Sequence, residues 1–526
     1  MKLKSKDILI LMLVGIILLS GCSTQVEEKE ILANNDDDNG YKLETLKLEG
    51  GRDWGMSNPF LQDPRGPGTG KVKLVFDSLL EADENGIISW LAKEWNIDEN
   101  TYTFKIYDNA YFHDGKPVTT EDIGFSIDYY REYPPINNVL GSKEQSIVKS
   151  YEVVDNTTIK IEVKEAYADT LTKLGSFLIL PKHIWENIDD PYTYTEDDAF
   201  IGSGPYRWSQ YDSATGSYEF IAFDKYYGLK PVTERILFVP VSDSILAFEN
   251  KEIDITDVPA DLVDRYREDS NIGMISKDND MGYKLLINMK KLPEFKDLDM
   301  RKAIYNGINR QGIVDKVFRG LGSVGSAGYV PVTNIFYNPE VVEYEYSLEE
   351  AKKILEDRYI DIELLSSNSD KDIKISELIK SDLEAAGMKI SVLATDGKVR
   401  DEKVFDGDYE FALVGNGGWG RTPDYLRTLY SSKSKFTVKN PHGMGALGYD
   451  NELITELAEK QLYELDFNER MEIFKELQLE ISKEIPIVVL ATESSNVMFR
   501  KDYYDGWTKT YDYQQLEQNR LSYVEK

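Results

Sequence analysis

A chain of 526 residues is too long for a single hydrophobic core, so about two to four domains are expected. Its 61 Lys and Arg face 93 Asp and Glu, a net charge of −32, which excludes a general nucleic-acid binder because phosphate contact needs clustered cations. The same balance disfavours adhesion to anionic lipid, and a single cysteine allows no disulfide within the chain.

Lys4 and Lys6 precede an uninterrupted apolar run from Ile8 to Leu19. That run falls short of the roughly 20 residues a bilayer requires but suits the apolar region of a signal peptide. Leu19-Ser20-Gly21-Cys22 follows, small residues just before the lone cysteine, and resembles a lipobox. Residues 1–21 are therefore expected to be a lipoprotein signal peptide, with Cys22 the lipidated residue. Two or more acyl chains, at about 0.8 kcal/mol per buried methylene, would anchor the protein durably. Residues 22–40 are polar, end in Asp36-Asp37-Asp38 and read as a flexible acidic tether.

The body is expected to begin near Tyr41. Leu43, Thr45, Leu46 and Leu48 open it as a strand, and Trp54 to Phe60 (WGMSNPF) is turn-rich. Between Thr101 and Ile106, Tyr102, Phe104 and Ile106 alternate with polar neighbours, the period of a half-buried strand. His113-Asp114-Gly115 marks a tight turn, and Thr119 with Asp122 forms a capping box that starts a helix carrying Ile123, Ile127 and Tyr130. His113 and His183 read as structural residues.

The segments "LAKEW" and "YTFKIYDNAYFHDGKPVTTEDIGFSI", followed by Leu180-Pro181-Lys182-His183-Ile184 and by Phe200 to Tyr206 (FIGSGPY), together resemble the extracytoplasmic solute-binding proteins of peptide and nickel ABC transporters. The resemblance implies an α/β chain with a two-lobed fold like that of type II periplasmic binding proteins, mixed or doubly wound sheets, and a hinged cleft. Lobe I is expected over 41–281, with an early helix at Val72–Leu80 like that of the family and an additional subdomain over about 81–200. Lobe II spans 282–490, and 491–526 returns to lobe I. The residues of lobe II agree with this reading: Ser347 and Glu350 cap a helix, and strands at Ile360–Leu365, Ile390–Leu393 and Tyr409–Val414 alternate with helices. Tyr283–Met289 and Ile487–Leu490 read as the crossing strands. Gly320, Gly322 and Gly325 match G-x-G-x-x-G but follow a helix, which argues against a dinucleotide site.

Open α/β sheets bind ligands beyond the carboxyl ends of their strands. The loop Gly415 to Arg421 follows such a strand, so Trp419 is expected as an apolar wall and Arg421 or Arg427 as a partner for a carboxylate. In the resembled family an aspartate shortly before the following proline pairs with the peptide ammonium; here that stretch holds no acid, and Asp424, just past Pro423, is the substitute. The resemblance also implies that Trp54 and Asn58 line the cleft, that His442 is a counterpart of the histidine with which nickel-binding relatives meet a chelated metal, and that Tyr449 lies near the rim.

The expected function is that of the substrate-binding lipoprotein of an ABC importer. It would capture an oligopeptide or dipeptide between the lobes and deliver it to a permease served by a separate ATPase. A chelated nickel or cobalt complex, or another small solute, is the alternative. No H-E-x-x-H, G-x-S-x-G or Walker-A pattern is present, so an enzyme, such as a glycoside-processing one, is remote. The expectation includes no cofactor, no protein-held metal, no nucleic acid, a monomer, and a place on the outer face of the membrane.

Overall fold

The computed structural model describes residues 41–50, 55–62, 67–83, 86–332, 334, 336–356, 358–417, 424–433, 445–508 and 520–525. The signal segment, the tether and Cys22 lie outside them. None of the helices among the described residues is long and apolar enough to cross a membrane.

Strand β1 (Leu43–Glu49) buries Leu46 and Leu48, as its pattern predicts. A helix covers Pro67–Val75, five residues earlier than the expected Val72–Leu80, because the chain turns at Asp77-Ser78 into β2 (Leu80–Asp83), which forms a hairpin with β3 (Gly86–Ser89). Next, β4 (Ala92–Asp98), β5 (Thr101–Ile106), β6 (Val148–Val153) and β7 (Thr158–Val163) make an antiparallel sheet ordered β4-β5-β7-β6. Tyr102, Phe104 and Ile106 all face its core. The helix Thr120–Glu132 begins with the predicted capping box, the Thr119 backbone N–H donating to Asp122 Oδ2 at 2.8 Å.

A second sheet, ordered β1-β10-β9-β8, adds β8 (Tyr206–Asp212), β9 (Ser217–Ala222) and β10 (Thr233–Val239), with β1 and β10 parallel. The two histidine-bearing motifs are structural contacts. His113 Nε2 lies 2.9 Å from the carbonyl oxygen of Gly204, and the Gly202 N–H donates to His113 Nδ1 at 3.3 Å. His113 thus bonds to backbone far along the chain rather than to its own turn, and burial pushes its imidazole down to about 4. Gly202 and Gly204 must be glycine, since a Cβ would lie 2.0 Å from the Val75 carbonyl oxygen and 2.4 Å from that of Leu74.

The largest sheet has seven strands: β11 (Ile255–Val258), β12 (Ile272–Ile287), β13 (Gly322–Val324), β14 (Asp361–Ser367), β15 (Lys389–Thr395), β16 (Phe411–Gly417) and β17 (Val488–Arg500). Its order is β11-β17-β12-β16-β14-β15, with β13 on β17. Strands β14, β15 and β16 are mutually parallel where they pair, whereas β12 runs antiparallel to both β16 and β17, so the sheet is mixed. Apolar layers cover both faces: Leu285, Leu364, Ile375 and Ile379 on one, Leu286, Leu365, Ala412 and Leu477 on the other.

The crossing strands are longer than their apolar runs. β12 begins at Ile272 and β17 ends at Arg500, and these outer halves pair with each other from Ile272–Arg500 to Lys277–Ser495. Ser494, Ser495 and Asn496 interrupt the apolar run before Val497-Met498-Phe499, so the sequence does not read as one continuous strand. A register shift between Lys277 and Met281 separates the outer half of β12 from the half inside the seven-stranded core.

Candidate functional site

Strands β14, β15 and β16 end at Ser367, Thr395 and Gly417, and β12 and β17 continue past that level towards β11. Beside β11, Asp254 binds β1, its N–H donating to the Lys47 carbonyl at 2.8 Å and its Oδ2 accepting from Lys47 N at 2.7 Å. The carboxyl ends of the parallel strands therefore face the side on which the chain crosses to the β1-β10-β9-β8 sheet, the place where open sheets bind ligands.

A charged cluster occupies those ends. Lys371, in the first turn of the helix Asp370–Ala385 that follows β14, places Nζ 2.7 Å from both carboxylate oxygens of Glu493 on β17. Their side chains are 42 % and 21 % exposed, so both charges are reachable from solvent. Ser369 caps this helix through the Asp372 N–H at 3.2 Å, which orients its first turn. Behind the pair, Ser367 donates to Asp372 Oδ2 at 2.6 Å, and Arg400 lies 3.6 Å from the same oxygen while donating to the Leu413 carbonyl at 2.9 Å. Asp372 and Arg400 are buried and answered from several sides, a frame rather than a contact surface.

Tyr283 on β12 lies across from Gly415 and Ala491. A Cβ on Gly415 would stand 2.8 Å from its ring, so the glycine makes room for the tyrosine. Burial, with Glu493 and Asp372 nearby, raises the Tyr283 phenol and keeps it neutral. On the opposite face Lys284 is buried, donates to the Tyr329 hydroxyl at 2.6 Å and sits 5.8 Å from the Tyr425 ring centre. Burial brings its ammonium down to about 7.

The sequence-predicted residues distribute unevenly. Trp54, Trp419, Arg421 and His442 lie outside the described residues, and Asp424 begins the described helix Asp424–Tyr430. Asn58 is fully buried: Oδ1 accepts from the N–H groups of Phe60 and Leu61 at 2.9 and 3.2 Å, and Nδ2 donates to the Tyr194 carbonyl at 3.4 Å. Its side chain builds its loop and has no face left for a ligand. Arg427 lies 3.9 Å from Glu459 on the helix Glu452–Tyr463, so its charge is answered within the same bundle of helices. Tyr449 is not at the rim. Met289 N–H donates to the Leu447 carbonyl at 2.9 Å, and the Tyr449 hydroxyl reaches Glu484 at 3.3 Å, which places it where β14 and β16 begin, the end opposite the cluster. Lys371 and Glu493 were missed because charged residues are so numerous, although applying the strand-end rule to Ile360–Leu365 leads directly to Asp370–Asp372.

Comparison with known proteins agrees with this architecture. A "Dipeptide-binding protein" of Escherichia coli is 24 % identical over 452 residues, 79 % of this chain and 83 % of its own. Among solved structures, a periplasmic binding protein from Helicobacter pylori in complex with a peptide matches with a TM-score of 0.70 at 20 % identity, covering 92 % of this chain and 98 % of its own. NikZ from Campylobacter jejuni, in complex with Ni(L-His), matches with a TM-score of 0.72 at 21 % identity, covering 92 % and 99 %. The sequence model of "Bacterial extracellular solute-binding proteins, family 5 Middle" matches residues 86–437, well over half of the chain. The chain belongs to the bacterial extracellular solute-binding proteins of family 5.

Proposed function

We propose that this protein is the substrate-binding component of an ABC importer and that it captures short peptides by their charged termini. The observation that carries the reading is the Lys371–Glu493 pair: opposite charges, both solvent-accessible, held together at the strand ends. A zwitterionic peptide can replace each partner of this pair, its ammonium meeting Glu493 and its carboxylate Lys371, so neither charge is left unanswered. That arrangement answers the missing acid before Pro423, and it fits a relative named for binding dipeptides. Binding rather than catalysis is the role, with delivery to a membrane permease and energy from a separate ATPase. Lipidated Cys22 would hold the protein at the outer face of the membrane, with residues 22–40 as its tether.

Calorimetry with defined di- and tripeptides tests the reading. A hydrogen bond to a charged group contributes about 1.5–3 kcal/mol, so Glu493→Gln and Lys371→Met should each weaken binding by roughly tenfold or more. N-acetylation of the peptide should cost affinity in the native protein and little in Glu493→Gln. Unchanged affinity in both variants would overturn the assignment.

A further inference from the structure

We propose that Tyr167-Ala168 and Leu462-Tyr463 form a reversible clasp that holds the protein closed, so that its strength sets how long a bound solute stays. The Ala168 N–H donates to the Leu462 carbonyl at 2.9 Å, and the rings of Tyr167 and Tyr463 lie 5.4 Å apart at 58°. The first pair sits just past the carboxyl end of β7, before the helix Thr170–Ser176; the second ends the helix Glu452–Tyr463, which packs on the seven-stranded sheet. The contact thus joins two separately cored parts of the molecule at a point outside β11, β12 and β17, which carry the chain between them.

Its composition suits a contact that forms and breaks. Tyr463 is 49 % exposed and Tyr167 half-buried, so neither ring anchors a core. Tyr167 keeps its hydroxyl satisfied on its own side, donating to Glu165 at 2.9 Å, and opening the clasp strands no charge. One backbone hydrogen bond and one tilted aromatic pair are together weak enough to open and strong enough to bias an equilibrium. Removing a ring should speed solute release roughly three- to tenfold, leaving association nearly unchanged, because the clasp closes after the solute has entered.

The proposal rests on the solute-binding reading, and the following experiment separates the two. Protein beginning at Ser23 contains no cysteine, so Ala168→Cys with Leu462→Cys gives a single disulfide pair. The hydrogen bond brings their Cα atoms within about 7 Å, close to disulfide reach. Under mild oxidation the pair should cross-link, the oxidised form should have a smaller radius of gyration than the reduced form by small-angle scattering, and Tyr167→Ala or Tyr463→Ala should slow cross-linking several-fold at unchanged melting temperature. Equal radii for oxidised and reduced protein, or cross-linking indifferent to both tyrosine substitutions, would overturn the clasp. Cross-linking that depends on the tyrosines but that no di- or tripeptide accelerates would leave the clasp standing and count against the peptide reading alone.

Discussion

At the scale of single residues, polarity and burial decide which groups can meet a solute. Asn58 looks like a ligand contact in sequence but is consumed by its own surroundings, as is the buried Asp372, whereas Lys371 and Glu493 hold reachable charge. Lys284 carries the clearest pH signature. Its ammonium falls from 10.5 to about 7 in the folded protein because burial penalises its charge. Between about pH 7 and 10.5 the unfolded chain binds a proton that the folded protein does not, so this residue makes stability rise with pH across that window. Lys284→Met abolishes that slope: urea titrations at pH 7 and pH 9.5 should show the native protein gaining stability relative to the variant at the higher pH. A constant difference between the two would contradict the burial argument. None of this was legible in the sequence, where Lys284 is one cation within an apolar run and its depth depends on Tyr329, 45 positions away.

At the scale of elements, local signals were readable and long-range ones were not. Caps at Thr119, Ser347 and Asn451 start helices where their side chains predict, because capping is settled within four residues. The outer halves of β12 and β17 were not read as strands, because the polar stretch Ser494–Asn496 interrupts β17 and the pairing joins segments far apart in sequence. The carboxyl-terminal return is another distant pairing. Val232 N–H donates to the Tyr523 carbonyl at 3.0 Å, and Arg520 is fully buried against Asp77 at 3.3 Å and against Glu81, over the Trp90 ring at 4.4 Å. Burial dominates at Asp77 and raises its carboxyl to about 6; at Glu81, Arg520 and Lys73 outweigh burial and the carboxyl is lowered. Removing the guanidinium leaves buried Asp77 without its cation and Glu81 with Lys73 alone, a loss of about 3–5 kcal/mol by the usual cost of breaking a buried pair. Arg520→Met should therefore lower the urea midpoint substantially, and a loss under 1 kcal/mol would show that the acids find other partners or take up protons at little cost.

For the whole molecule, the order of several motifs along the chain was informative where no single one was, and the alternation of helices and strands from Ser347 to Phe411 was enough to expect parallel strands. The antiparallel β12 made the sheet mixed, which an apolar run alone cannot reveal because it carries no direction. Shifting a two-state hinge from mostly open to mostly closed takes about 5.5 kcal/mol of differential binding. On the proposed reading, two charge-assisted contacts from the solute to Lys371 and Glu493 would supply a large share of that energy, and the ring contact between Tyr167 and Tyr463 would favour the closed form with or without solute. The most direct test of peptide capture is native mass spectrometry of the protein beginning at Ser23, purified from its own source with whatever solute it retains. The account predicts a spread of short-peptide masses bound one per chain. A single bound mass with a nickel or cobalt isotope pattern would contradict it and move attention to His442 and Arg421.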